Sequence, residues 1–244
     1  MCRWIAYSEP PIYPETFLLL PENSLINQSL SARYSIMPTN ADGCGFGWYG
    51  EREEPGVFRD VLPAWNDQNL ISIARQVKTS LFFAHVRAAT FGPIQRRNCH
   101  PLAHGNWLFM HNGQIGGYEK VRRQLEAMIA PDFYNERQGT TDSETIFLIL
   151  LSEGLIDDPM GAFARTVGRI ENIMQDNSIE TPLRLTAAAT DGDSIFAVRY
   201  ASDDKAPTLY IGPSYINGQA RPSGPAIMVL SETLNSDAAD WREV

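Results

Sequence analysis

The chain has 244 residues, 43% hydrophobic and 20% charged, the balance of a globular protein with one large domain or two small ones. A net charge of −9 with dispersed basic residues argues against a nucleic-acid partner, which would want a basic stripe. The longest apolar run, residues 146–151, is far short of the ~20 residues of a membrane span, so no membrane partner is expected.

In chain order, an apolar strand is expected over residues 2–7, directly after the initiator methionine. The stretch 37–50 holds Gly43, Gly45, Gly47 and Gly50 around a strand at 44–49. Its spacing is not that of a dinucleotide loop and no helix follows, so a close backbone approach or a bulge is the better reading. A helix beginning near Asp67 puts Leu70, Ile73, Ala74 and Val77 on one face. Strands follow at 80–87 and 107–111. A second amphipathic helix, with Tyr118, Val121, Leu125, Met128 and Ile129 on its apolar side, is expected to stop at Pro131. Thr141-Asp142-Ser143-Glu144 reads as a capping box opening a helix that is apolar nearly all round, and such a helix must be covered on most sides. Met160, Phe163, Val167, Ile170 and Met174 mark one more helix. Strands at 183–189 and 194–200 flank Asp191-Gly192-Asp193 as an antiparallel hairpin, and two further strands lie at 208–211 and 226–230. The segments 8–27, 51–65 and 91–105 read as loops.

Four places could carry chemistry. Cys2 would have a thiol and an α-amine on one residue once Met1 is removed, and the ordinary pKa values of those groups, about 8.5 and about 8, make proton exchange between them easy. By position alone it is more often just the first residue of a strand. The segment from His85 to Gly92 delivers Arg87 into a loop at a strand end, where its fork can grip a carboxylate or form an ordinary salt bridge. His111-Asn112-Gly113 lies at another strand exit, either as a turn or as two converging donors, the Asn112 amide and the Gly113 N–H, for an oxyanion. Asp142 lies in the first turn of its helix, where a carboxylate both favours the helix and can bind an ammonium group.

Three cysteines (Cys2, Cys44, Cys99) leave at least one thiol free, which with the absence of a secretory signal pattern suggests a reducing cytoplasm. His85, His100, His104, His111 and Cys99 lack metal-ligand spacing, and there is no Gly-x-Ser-x-Gly elbow; neither metal nor cofactor is expected.

Taken in order, Cys2, the segment His85 to Thr90, His111-Asn112-Gly113 and Thr141 to Glu144 resemble the class II glutamine amidotransferase family. Asn40-Ala41-Asp42-Gly43 and the closing Leu230-Ser231-Glu232 and Trp241-Arg242 extend the resemblance over nearly the whole chain, so 1–244 is expected to be a single domain of that type. The resemblance implies an α+β, N-terminal nucleophile hydrolase fold, a four-layer αββα sandwich of two mainly antiparallel sheets. It further implies that Cys2 attacks a γ-glutamyl carbonyl, that Asn112 and Gly113 form the oxyanion hole, that Arg87 holds the substrate α-carboxylate and Asp142 its α-ammonium, and that Thr90 lines the pocket. The chain departs from the family pattern at Ala88 and Phe91, where many members carry Trp and His, and has no length left for an acceptor domain. It looks similar to single-domain members such as the γ-glutamyl hydrolase of ergothioneine biosynthesis. A hydrolase of glutamine or a γ-glutamyl compound is therefore the leading expectation. A glutaminase subunit serving a synthetase partner and a non-catalytic γ-glutamyl-binding protein are the alternatives.

Overall fold

The first strand is buried on both sides. In β1 (Arg3–Ile12), Trp4 and Ala6 point to one face and Ile5 and Tyr7 to the other, and all four are inaccessible to solvent. A strand with two apolar faces must be covered twice, which requires a layered molecule. The computed structural model describes residues 2–34, 38–89, 92–213, 227–235 and 241–244.

The strands after β1 are β2 (Cys44–Trp48), β3 (Gly56–Asp60), β4 (Thr79–Val86), β5 (Leu102–His104), β6 (Trp107–Gln114), β7 (Arg184–Thr190), β8 (Ile195–Ala201), β9 (Tyr210–Pro213), β10 (Ile227–Leu230) and β11 (Arg242–Glu243). They form a seven-stranded sheet, ordered β11-β9-β10-β1-β4-β2-β3, and a four-stranded sheet, β5-β6-β7-β8. Every pairing in both is antiparallel. The helices are α1 (Glu15–Leu18), α2 (Leu25–Leu30), α3 (Gln68–Gln76), α4 (Tyr118–Glu126), α5 (Pro131–Tyr134), α6 (Asp142–Ser152) and α7 (Pro159–Asp176).

Three apolar layers hold these elements together. Trp4, Ala6 and Phe83 of the larger sheet meet Leu108, Met110 and Ala188 of the smaller. Ile5, Tyr7, Phe46 and Phe82 pack outward against Phe17, Leu25, Leu70 and Ala74 from α1, α2 and α3. On the opposite side, Phe109, Leu185 and Ala187 meet Val121, Leu125, Phe147 and Phe163 from α4, α6 and α7. The order is helices, sheet, sheet, helices, the αββα sandwich expected from the resemblance. The helix that is apolar all round is α6, buried from Ser143 to Leu151, and it occupies the middle of the second helical layer. No helix among the described residues is long and apolar enough to cross a membrane.

Local departures have identifiable causes. β1 runs on to Ile12 past the expected end at residue 7, with its pairing to β4 shifting register between Ser8 and Ile12. Pro131 does not stop the second amphipathic helix: α4 ends at Glu126, and Pro131 opens α5 as its first residue, where a fixed φ and a missing N–H are harmless. All three segments read as loops contain regular elements: the end of β1, α1 and the start of α2 lie within 8–27, and β3 and β5, both at sheet edges, within 51–65 and 91–105. All five residues of β3 are half-buried, so an edge strand there has no clean apolar alternation to reveal it. The Asp191–Asp193 turn joins β7 to β8 as expected, with the Asp191 carboxylate accepting from the N–H groups of Asp193 (3.0 Å) and Ser194 (2.8 Å). Ala226 and Met37, included in the expected strand and glycine-rich segment, lie outside the described residues.

The Phe109 and Phe147 rings stack with centroids 5.1 Å apart and planes 4° from parallel, joining the smaller sheet to α6. Phe109→Ala is expected to lower unfolding stability by about 3–5 kcal/mol. A shift in urea midpoint worth under about 1 kcal/mol would show that this contact does not carry the second helical layer.

Candidate active site

The site begins with strand register. Val86, the last residue of β4, lies opposite Arg3 of β1 on one side and Cys44 of β2 on the other. Cys2, just before Arg3, is thereby brought to the chain leaving β4, and its thiol lies 3.6 Å from the carbonyl oxygen of Ala88. The segment before β2 secures the same stretch from the other side. Arg87 N–H donates to the Gly43 carbonyl (2.8 Å), Asp42 N–H donates to the Arg87 carbonyl (3.0 Å), and Ala89 N–H donates to the Asp42 carboxylate (2.7 Å). Arg87 is 3% exposed, a buried cation at the exit of a strand.

The smaller sheet supplies the second group. His111, Asn112 and Gly113 sit near the end of β6, paired with Ala187, Thr186 and Leu185 of β7. Asn112 is 1% exposed, and its amide nitrogen has no hydrogen-bond partner among the described residues. Gly113 has φ +154°, and a Cβ there would stand 1.9 Å from the Arg184 carbonyl oxygen. That close backbone approach allows only glycine.

β6 is tied to the start of α6 by side chains. His111 Nδ1 and Ser143 Oγ are 2.8 Å apart, Ile115 N–H donates to Asp142 Oδ2 (2.9 Å), and Ser143 N–H donates to Asp142 Oδ1 (2.8 Å). Both Asp142 oxygens are thus oriented, and the half-buried carboxylate borders a cavity of about 270 Å³ lined by residues 114–120 and Thr181. The capping box forms only in half. Thr141 Oγ1 accepts from Glu144 N–H at 3.3 Å, but the Glu144 carboxylate binds the N–H groups of Gln138 and Gly139 instead of the cap. Glu144 thereby folds the preceding loop, and Asn98 fastens it from outside through Thr140 N–H (3.0 Å) and the Pro93 carbonyl (3.0 Å).

Charge links these groups. Burial pushes the Cys2 thiol pKa up, opposed by the Ala88 contact and by the positive charges of Arg87 and Arg3. His85 and His100 lie with ring centroids 4.5 Å apart, fully enclosed. Burial, together with Arg87, depresses His85 to about 3, and burial puts His100 well below the usual imidazole range. His111 is also lowered by burial, with Asp142 pulling the other way. Among the described residues, no three His, Cys, Asp or Glu side chains are grouped to hold a metal ion.

Of the expected site residues, Cys2 and Arg87 meet at the β1–β4 end, and Asn112, Gly113 and Asp142 meet at the β6–α6 junction. Thr90, Phe91 and Met1 lie outside the described residues. Sequence reasoning passed over Asn98, whose side chain ties the Pro93 and Thr140 loops together. It also missed Arg3 and Glu232, which form a buried ion pair at 2.8 Å. A charged residue inside the apolar 2–7 run was the available signal for that pair.

A family model for class II glutamine amidotransferases matches residues 21–204, well over half the chain. The chain belongs to the class II glutamine amidotransferases. It is 33% identical to the probable glutamine amidotransferase DUG3 of Saccharomyces cerevisiae, over all of this chain and 79% of that protein. It is 28% identical to the gamma-glutamyl-hercynylcysteine sulfoxide hydrolase of Mycolicibacterium smegmatis, over 80% of this chain and 81% of that one. A solved glutamine aminotransferase class-II domain protein from Silicibacter pomeroyi superposes with a TM-score of 0.73 at 37% identity, covering 100% of this chain and 91% of that one. The family is one of enzymes, and the sandwich described above is shared with that solved member.

The buried imidazoles make stability depend on pH. Unfolded histidines take up protons near pH 6.5 while His85, held to about 3, and His100 stay neutral in the fold. Below pH 6.5 the unfolded chain binds more protons, so stability falls as the pH drops. Tm is expected to decrease from pH 7 to pH 5, and less steeply in a folded His85→Asn variant; identical slopes would remove His85 as a cause.

Proposed function

We propose that this chain hydrolyses the γ-glutamyl amide bond of glutamine or of a larger γ-glutamyl compound through a thioester on Cys2, releasing glutamate. The observation that carries this reading is the meeting of the Cys2 thiol with the segment that presents buried Arg87, 3.6 Å from the Ala88 carbonyl. A nucleophile stands there beside a cation able to bind an amino-acid carboxylate.

In this reading, Arg87 holds the α-carboxylate and Asp142 the α-ammonium, with both Asp142 oxygens already oriented by backbone N–H groups yet retaining lone pairs. The family resemblance assigns Thr90, which lies outside the described residues, to the same pocket. The sulfur bonds to the γ-carbonyl carbon and the oxygen takes the negative charge, facing the Asn112 amide and the Gly113 N–H. Collapse breaks the C–N bond, and the thiol proton, relayed by the Cys2 α-amine, leaves with the ammonia or amine. Water then adds to the thioester carbon, glutamate departs, and the thiol recovers its proton. The whole chain, 1–244, acts as one catalytic unit. The M. smegmatis relative is named for a γ-glutamyl compound larger than glutamine, which favours a substrate of that class here. A reducing cytoplasm suits a chain whose three cysteines are all free.

Glutamate release from glutamine and a panel of γ-glutamyl amides and peptides tests the reading. Cys2→Ala is expected to abolish turnover while leaving the melting curve unchanged. Asn112→Ala should lower kcat by ~10²–10³, since an oxyanion donor acts only in the transition state. Arg87→Lys, which keeps charge but loses the fork, and Asp142→Asn should chiefly raise KM. Full activity in Cys2→Ala would sink the thioester. Activity seen only after adding an ammonia-consuming synthetase would assign the chain as that partner's glutaminase subunit. Binding of γ-glutamyl compounds with no turnover at all would assign a non-catalytic protein.

The α-amine is available only on chains that begin at Cys2. Intact-mass analysis of active protein is expected to show loss of Met1, and fully active protein that retains it would exclude the amine as the proton relay.

A further inference from the structure

Strand alternation puts Arg3 on the same face of β1 as Ile5 and Tyr7, toward the apolar layer beneath α1, α2 and α3. It is fully buried there. Its partner, Glu232, is equally inaccessible, lies 229 positions away in sequence and accepts from Arg3 Nε at 2.8 Å. Glu232 is itself held by several donors. Oε1 also accepts from the Asn23 side-chain amide (3.0 Å) and Arg33 N–H (2.9 Å), and Oε2 accepts from Tyr34 N–H (3.2 Å). The carboxylate is immobilised, and so in turn is the guanidinium it grips.

The other end of that guanidinium reaches the nucleophile. Arg3 Nη1 donates to the carbonyl oxygen of Cys2 at 3.0 Å. Beside it, Trp4 N–H donates to Ser231 Oγ (2.9 Å) and Ser231 N–H to the Trp4 carbonyl (3.1 Å), so the segment carrying Glu232 clamps the residue after Arg3 as well. We infer that Arg3, locked by Glu232, is a positioning residue that fixes the Cys2 carbonyl and holds a positive charge near the Cys2 thiol. This inference rests on Cys2 being the nucleophile.

Two physical arguments support it. A buried ion pair is rarely the most stable filling for its volume, because apolar residues of similar size do as well or better. Its retention points to what it touches, and it touches Cys2. An N-terminal residue also has only one peptide bond to restrain it and tends to fray. The hydrogen bond from Arg3 supplies a second restraint that strand pairing, which begins at Arg3, does not. The Arg3 charge favours the thiolate against the burial that opposes it. The terminal amine and Arg87, from the end of β4, act in the same direction and more strongly than Arg3, and Cys99 is the other thiol within electrostatic reach.

The test uses Arg3→Met/Glu232→Gln, which removes both charges together and avoids stranding either one, and reads Cys2 alkylation by iodoacetamide against pH, located by peptide mass mapping, alongside kcat and KM. In the folded double variant the alkylation profile is expected to move to higher pH, with kcat down ~10-fold and KM within about twofold, as a misplaced nucleophile requires. A folded double variant with wild-type alkylation and kcat overturns the assignment. If the double variant does not fold, Arg3→Lys decides. It keeps the charge but lacks the fork spanning Glu232 and the Cys2 carbonyl, so alkylation should hold while kcat falls severalfold; an unchanged kcat overturns the inference. Wild-type Cys2 that is neither alkylated nor needed for glutamate release would instead defeat the hydrolase reading itself.

Discussion

The site depends on one registry, that of β4 between β1 and β2. With Val86 opposite both Arg3 and Cys44, the chain emerging from β4 has Cys2 on one flank and Asp42-Gly43 on the other. A one-residue slip would exchange the faces of β1, sending Trp4 into the helical layer and Ile5 between the sheets. Both layers are closely packed and differently shaped, so the apolar pattern of residues 3–7 fixes where the thiol stands. The backbone bonds from Asp42, Gly43 and Ala89 finish what registry begins, holding Arg87 at the strand exit rather than letting it trail into solvent.

Around this point the protein buries polar atoms without pairing them all. Among the described residues, both ring nitrogens of His100 and the side-chain nitrogen of Asn112 are enclosed without a hydrogen-bond partner, and the buried His85 and His111 rings lie in the same region. Buried polar groups are ordinarily satisfied, and a cluster of exceptions marks a functional region more often than a structural one. Burial keeps the imidazoles neutral, so near Cys2 the positive charge comes from the terminal amine and from Arg87 and Arg3, and only the arginine part is constant with pH across the physiological range.

Most of the fold was legible because apolar alternation and helical stripes survive where both sides of an element are covered. The strands holding Trp4, Phe83, Phe109 and Ala188, and the helix from Asp142, are of that kind. The strands β3 and β5 were not legible, since each is a short edge strand of five or three residues, whereas β8, an equally half-buried edge strand of seven, was revealed by its apolar run and the turn before it. Cys2, Arg87, Asn112, Gly113 and Asp142 could be named because each falls at the end of a readable element. Asp42, Asn98 and Glu232 could not be read by themselves: each binds backbone groups far along the chain, and pairing at that distance leaves no local periodicity. Arg3 lies between these cases. Its charge breaks the apolar run of β1, which signals an exception without naming the partner.

The topology also dictates when the nucleophile becomes organised. β10 and β9 extend the same sheet on the far side of β1, and Glu232 follows directly on β10. The residue after Cys2 is therefore anchored by a segment 229 positions further along the chain. Closing so long a loop is entropically slow and is rewarded only when the sheet and the Arg3–Glu232 pair form together. Before that, β1 has neighbours on one side at most and Arg3 is a charge without a counterion in an apolar layer, a state that favours an open N-terminus. The Cys2 thiol is set only once β1 and β10 have joined the larger sheet and Arg3 has met Glu232, so its placement is coupled to completion of that sheet.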